Sequence, residues 1–233
     1  MATRINRWNV NTGTTSISLA VSPATIGNVL VFATGGSGNN VGPAISGGGV
    51  TTWTKAFDFF NATWNGTYSI WYGRVTATGS STITGTYAAV TDDLICEEFA
   101  PVNPSYVWSS AAGTGLYTVV SSSSPWAFNW PSLTSPASGD SFYWGFAGID
   151  HSPGGTTSGA GFTFANTQNS NWVCYNPSLA NNTAYQPSAS ESFGPGNAIA
   201  VGIILTDTAP VITTRRRVQQ SIRPYAFGPG IAR

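Results

Sequence analysis

The sequence contains few charged residues. Asp, Glu, Lys and Arg make up only 8% of its 233 residues, against about a quarter in an ordinary soluble domain. Disordered chains are poor in aromatic residues, whereas this chain has nine Trp, nine Tyr and twelve Phe. The length and the aromatic content together predict one large folded domain with a substantial core.

Cysteine and histidine are nearly absent. Two cysteines, Cys96 and Cys174, are too few for a disulfide framework, and buried free thiols are favoured over a bridge between them. One histidine and two separated cysteines do not make a typical zinc site. His151 follows Asp150, as in a hydrolytic triad, but no G-x-S-x-G nucleophile motif accompanies the pair. A polar turn is therefore expected at His151, and no cofactor is expected.

Helical periodicity and long apolar runs are also missing. No run reaches the ~18 residues of a membrane helix, and MATRINRWNV lacks the apolar core of a signal peptide; neither a span nor an export signal is expected. Short runs of β-branched and aromatic residues, separated by Gly, Pro, Asn and Ser, are typical of a β-sandwich or barrel. Strands are predicted at 15–21, 28–34, 51–59, 67–77, 80–88, 93–100, 115–121, 141–149, 159–165, 170–176 and 197–206.

Three of the predicted strands have informative patterns. The runs 28–34 and 197–206 are continuously apolar, which predicts central strands of the core. The run 67–77 carries aromatic residues on both faces, which predicts a strand that is covered on both sides or lies at an interface. The Gly-rich segment 35–49 between two of these runs is predicted to be an exposed loop.

The Pro/Ser-rich segment 121–140 is predicted to be a loop with three large aromatic residues, Trp126, Phe128 and Trp130. Leaving all three in water would sacrifice a few kcal/mol of burial each. The segment is expected to fold back on the sandwich, and the alternative is that these residues contact a partner surface or a glycan.

The acidic run DDLICEE places Asp92, Asp93, Glu97 and Glu98 close together. On a strand, Asp93 and Glu97 would share one face, and Asp92 and Glu98 the other, because side chains alternate. Paired carboxylates perform glycoside hydrolysis or bind calcium, but this division does not assemble one site without residues from loops. The run predicts a solvated strand end or an inter-subunit salt bridge, with calcium binding and catalysis as open alternatives.

Basic residues are concentrated at the end of the chain. Residues 1–210 contain four basic and all nine acidic residues, whereas residues 211–233 contain five Arg and no acid. This asymmetry predicts a sandwich domain at 1–210 and an extended basic C-terminal arm at 211–233. Pro and aromatic residues among the arginines favour docking on a protein over a solvated tail or nucleic-acid binding. The candidate partner-binding residues are Arg215, Arg216, Arg217, Arg223, Tyr225, Phe227 and Arg233.

The first half of the chain carries an ordered series of strand motifs: IGNVLVFAT, a Gly-rich loop, ISGGGVTTWTKAF, GTYSIWYGRVTATGSSTITGTY and DLICEEFAPV. This order resembles a family of β-sandwich domains found in tailed bacteriophages and actinobacteria. Trp53, Trp71, Tyr72 and Gly79 occupy places that match the family's W-T-R strand and IWYA-xVT-x-G hairpin. SFYWGFAGI, WVCY and AIAVGIIL, in the second half, resemble the family more loosely.

The resemblance implies an all-β, jelly-roll-like antiparallel sandwich without a known catalytic site. Phage members of the family look like minor tail proteins or capsid decoration proteins. We therefore expect a structural virion protein and not an enzyme, assembled in the host cytoplasm, with the tail or adsorption apparatus favoured over the head. Its expected partners are other virion proteins and copies of itself, in a homo-oligomer for which a trimer is the candidate, and a host-surface glycan is a further candidate ligand. A carbohydrate-binding module is the second function class, and a glycosidase built on the acidic run is the third.

Overall fold

The computed structural model describes residues 2–39, 44–63, 65–110, 126–149, 156–168, 171–191 and 198–209. The C-terminal arm, His151 and the strand predicted at 115–121 lie outside these ranges. Within them, every regular element is a β-strand and every strand pairing is antiparallel. The all-β antiparallel sandwich predicted from the sequence is confirmed.

The first half of the chain forms β1 (Thr3–Val10), β2 (Thr14–Val21), β3 (Val29–Ser37), β4 (Ile45–Gly47), β5 (Thr54–Asn61), β6 (Gly66–Arg74) and β7 (Ser81–Ala100). The second half forms β8 (Val107–Ser110), β9 (Trp126–Asn129), β10 (Leu133–Thr134), β11 (Asp140–Ile149), β12 (Thr157–Ser158), β13 (Thr163–Asn166), β14 (Trp172–Leu179), β15 (Ala184–Tyr185), β16 (Ser188–Glu191) and β17 (Ala198–Thr208).

Each half of the chain builds its own main sheet. The first sheet has the order β1-β7-β3-β6-β5, with β2 and β4 also paired to β7. The second sheet has the order β13-β14-β11-β17-β8. The segment 101–106 connects the two sheets, and we call the end of the sandwich where it lies the crossover end.

Three hydrophobic cores separate four layers. The inner core lies between the two main sheets and contains Val31, Ile70, Phe99, Trp144 and Val201 among others. A first outer core lies on the other face of the first sheet, beneath β2, β4 and the beginning of β7. A second outer core lies on the other face of the second sheet, beneath β9, β16 and β10. Strands β3, β6, β11 and β17 are therefore covered on both faces, which the sequence predicted for β3 and β17 and offered as one of two alternatives for β6.

Strand β7 joins two layers. The sequence predicted separate strands at 80–88 and 93–100, which is wrong, because one strand of 20 residues covers both. Its second half pairs with β1 and β3, and its first half pairs with β2 and β4. Ile83 and Tyr87 of the first half pack with Leu30 and Phe32 of β3 in the first outer core.

The Gly-rich segment at 35–49 is not simply an exposed loop. Gly35 and Gly36 are buried in β3, and residues 45–47 form β4. A Cβ on Gly36 would stand 2.4 Å from the carbonyl oxygen of Val90, so only glycine lets β3 approach β7 at this point. The glycines here permit close strand packing as well as turns.

The segment predicted as a loop at 121–140 contains two short strands among its described residues, β9 and β10. Both belong to the layer over the second outer core. The sequence prediction also missed β1, β8 and the short strands β12, β15 and β16. No described helix is long and apolar enough to cross a membrane.

Candidate functional site

The acidic run in the second half of β7 is buried. Asp93, Glu97 and Glu98 each have 0% relative exposure. The prediction of a solvated strand end is therefore wrong for these three residues, and their counter-charges and hydrogen bonds come from within the chain. The predicted division between faces is confirmed for them, since Asp93 and Glu97 contact the side of the second sheet and Glu98 contacts the opposite side; the side chain of Asp92 lies outside the described part.

Glu97 is a buried carboxylate that joins the two main sheets through a partly buried ionic cluster. Its Oε1 accepts hydrogen bonds from Arg7 Nε at 2.6 Å and Arg4 Nη1 at 3.2 Å, both on β1. Its Oε2 accepts a hydrogen bond from Trp144 Nε1 on β11 at 2.5 Å. Arg4 also lies over the ring of Tyr175, 5.1 Å from its centroid. Charge-assisted bonds of this kind satisfy a carboxylate that burial has removed from water.

Glu98 points to the opposite face and fixes the turn before β3. Asn28 Nδ2 donates to its Oε1 at 2.6 Å, and the backbone N–H of Ala24 donates at 3.0 Å. Asn6 Nδ2 of β1 donates to Oε2 at 2.8 Å. The donors around this carboxylate in the described part of the chain are neutral, and they hold β1, β7 and the 24–28 turn together.

Asp93 contacts the connection between β13 and β14. Its Oδ2 accepts hydrogen bonds from Thr167 Oγ1 and, at 3.1 Å, from Asn171 Nδ2. All three residues are buried. Asp93 and Glu97 thus both tie the first sheet to the second, at different heights along β7.

These contacts indicate a structural role for the acidic run. A general acid or base must reach substrate, whereas Asp93 and Glu97 have no exposed area in this conformation. Within the described ranges, no group of three or more His, Cys, Asp or Glu residues is arranged to hold a metal ion. Buried pairs of this kind fix how elements fit together.

A second acidic pair lies at the crossover end. Asp140, the first residue of β11, stands directly opposite Asp207, near the end of β17. Directly opposed side chains of an antiparallel pair lie on one face, here the face toward the first sheet. A cavity of about 440 Å³ opens there. It is lined by Tyr106, Ser138, Gly139, Asp140, Asp207, Thr208 and Ala209.

The carboxylate of Asp207 has no side-chain hydrogen-bond donor among the described residues. The residue is only 1% exposed, and neither Oδ1 nor Oδ2 accepts a hydrogen bond of ordinary geometry. Burial and the neighbouring charge of Asp140 raise the pKa of Asp207 to about 6, although Arg74 and the backbone of Asn103 oppose this change. The sequence reasoning missed this pair. The signal was an acid flanking each of two long apolar runs, 141–149 and 197–206.

The aromatic candidates of the segment 121–140 do not form a surface site. Phe128 and Trp130 are 1% and 0% exposed and pack together in the second outer core, with ring centroids 4.7 Å apart. A surface or glycan contact by these two residues is therefore wrong, and the expected fold-back is confirmed for them. The side chain of Trp126 and all candidate residues of the arm lie outside the described part.

One groove on the surface of the first sheet contains an accessible aromatic residue. The half-buried Trp8 lies between β1 and β2, in a cavity of about 500 Å³ with Arg7, Asn9 and Ser18 among its lining residues. A ring beside polar side chains is a feature of sugar-binding surfaces. The groove contains one tryptophan, fewer than a typical stacking platform for a longer glycan.

The outermost described layer presents hydroxyl groups instead of charges. Thr82, Thr84 and Thr86 of β7 are exposed, and the last two stand opposite the exposed Ser18 and Ser16 of β2. No residue of β2, β4 or the described first half of β7, up to residue 87, is charged. Although residues 1–210 carry more acidic than basic residues, this side of the sandwich is therefore not acidic.

Both cysteines are buried free thiols, as predicted. Cys96 belongs to the first outer core and Cys174 to the second, so both main sheets separate them. Burial raises the pKa of each thiol well above its ordinary value, which makes both unreactive.

No known relative identifies the chain. No family model, no curated protein and no solved structure matches it.

Proposed function

We propose that this protein is a structural accessory protein of a tailed-bacteriophage virion. It is exposed on the particle as a minor tail or adsorption-apparatus protein and is docked through its C-terminal arm. The observation that carries the proposal is the distribution of charge. Asp93, Glu97, Glu98 and Asp207 are buried, while the outer layer presents serine and threonine hydroxyl groups.

This distribution supports a persistent structural role. Buried carboxylates with fixed donors hold strands in place, and they offer no group that could react with a substrate. An uncharged hydroxyl surface remains hydrated without strong attraction to charged macromolecules. The order of sequence motifs that resembles phage sandwich proteins supports the virion as its location.

Purified particles test the proposal directly. Phage from a lysate of the strain that carries the gene would be banded on a density gradient and analysed by mass spectrometry. Immunogold electron microscopy with antibodies to this chain would follow. We expect its peptides to co-band with the particles and the gold to lie on the tail. Recovery only from the soluble fraction would disprove a virion role, and labelling of the head would replace the tail assignment with capsid decoration.

A carbohydrate-binding module is the alternative that the Trp8 groove favours. In that case glycan-array binding would be lost in Trp8→Ala and retained in Trp53→Ala, because Trp53 lies outside the groove and donates to the carbonyl of Gly47. Absence of glycan binding by the intact protein would remove this alternative.

A further inference from the structure

The crossover end combines the acidic pair with exposed aliphatic side chains. Ile26, Val102 and Val107 are 57%, 56% and 44% exposed. The turn that contains Ile26 packs closely against the segment 101–106, since a Cβ on Gly27 would stand 2.7 Å from the carbonyl oxygen of Pro104. Of the five large hydrophobic side chains that are exposed in the described part, these three lie at one end. Such clustering is typical of an interaction surface.

Asp207 at this end lacks a side-chain donor among the described residues. Arg74, the basic residue whose charge acts on Asp207, directs its Nη2 to the carbonyl oxygen of Pro104. A buried carboxylate with few hydrogen bonds is destabilised when it is ionised. A guanidinium group would supply paired N–H donors and the opposite charge together. The depression of about 440 Å³ beside Asp140 and Asp207 is open to solvent and leaves room for such a group.

The basic arm starts at this same cavity. Ala209, which directly precedes the segment 210–233, is one of the cavity's lining residues. The next five residues, PVITT, are one proline and four β-branched residues, which favour an extended chain. Five extended residues would carry the following arginines up to about 17 Å away from the exit point. An extended segment of this length would place the arginines beyond the cavity of their own copy, within reach of a second copy.

We propose that the crossover end of one copy binds the C-terminal arm of a second copy of this chain. The arginine cluster at 215–217 pairs with Asp140 and Asp207, and apolar residues of the arm cover Ile26, Val102 and Val107. The inference rests on the arm-mediated docking proposed above and names the surface that receives the arm. Because each copy has both an arm and a receiving end, reciprocal exchange between two copies would close a symmetric dimer, and head-to-tail exchange would form a ring if its rotation closes.

A peptide-binding experiment tests the receiving surface. The full chain carrying Arg215→Ser, Arg216→Ser and Arg217→Ser loses the arginine cluster of its own arm and keeps only Arg223 and Arg233 there. A fluorescent synthetic peptide of residues 211–233 would be titrated into it and followed by anisotropy. We expect saturable binding that weakens at least tenfold when Asp207→Asn or Asp140→Asn is added. Binding should also weaken when salt rises from about 50 to 500 mM, because the contact is ionic.

Matched controls separate this surface from general charge attraction. Asp58→Asn removes an acid that is paired with Lys55 at 3.0 Å on β5 and should leave peptide binding unchanged. Asp207→Asn relieves an unfavourable buried charge, so lost binding cannot come from unfolding, and circular dichroism checks this. Three results would overturn the inference. They are no binding of the peptide, binding by both cavity variants as tight as by the protein without those substitutions, and a loss in Asp58→Asn as large as in the cavity variants.

The outcome is independent of where the protein acts. A chain absent from virions would disprove the proposed function even if the peptide bound at Asp207. A chain that enters virions normally with Asp207→Asn and Asp140→Asn, and whose peptide binding is unaffected by them, would disprove only the receiving surface.

Discussion

Asp207 is a buried acid whose ionised form the fold does not support. Its pKa is raised to about 6 by burial first and by Asp140 second. The native state therefore binds this proton more tightly than the unfolded state. The stability that protonated Asp207 contributes, relative to its ionised form, is fully present below the unfolded pKa near 4. It is lost as the pH rises through about 6.

Asp207→Asn should consequently stabilise the protein at neutral pH. We expect a gain of about 1–2 kcal/mol at pH 7.5 that shrinks toward zero at pH 4. Urea unfolding of both proteins at dilute concentration, across pH 4 to 8, measures the difference. A gain that is constant with pH would show that Asp207 is not the titrating group.

Part of the residue-scale picture could be read from the sequence. The alternation along β7 placed Asp93 and Glu97 on one face, and the structure keeps them there. Their burial was not predictable, because their partners Arg7, Trp144 and Asn171 come from distant parts of the chain. Local pattern shows which way a carboxylate points, but only the tertiary fold shows whether a donor meets it.

At the scale of elements, β1 is held by charge as much as by backbone pairing. It lies at one edge of the first main sheet, and its Arg4 and Arg7 donate hydrogen bonds to Glu97 of β7. The sequence TRINRWNV reads as a polar terminus, which is why no strand was predicted there. A strand whose arginines pair with a buried glutamate about 90 residues away has no local hydrophobic pattern.

Glu97→Gln should therefore loosen β1 and destabilise the whole domain. The variant leaves two guanidinium groups without their anion, and we expect a loss of about 2–4 kcal/mol in the free energy of unfolding. Asp58→Asn, in the more exposed pair with Lys55, should cost about 1 kcal/mol or less. Chemical denaturation with hydrogen exchange of residues 3–10 measures both effects, and equal losses would contradict the buried cluster.

The continuously apolar strands were the most predictable elements. The runs 28–34 and 197–206 are buried on both faces because each has a further β-layer outside it. The layer over the second outer core was read as a loop, since Pro and Ser dominate 121–140. Its buried anchors, Phe128 and Trp130, were recognised as residues that would fold back.

At the scale of the molecule, the described members of all three cores lie within residues 2–209. Deletion of residues 210–233 should therefore leave a cooperative domain with unchanged far-ultraviolet circular dichroism and a Tm within a few degrees of the intact chain. Thermal unfolding at low concentration measures this. A non-cooperative transition would show that the arm completes the fold.

The division of the chain into two sheet-building halves has a consequence for synthesis. Residues 3–100 leave the ribosome with their own outer layer, which is available to cover one face of the first sheet at once. Only the inner face must wait for β11 and β17. A nascent chain that exposes one hydrophobic sheet face instead of two is less prone to aggregate before its second half is synthesised.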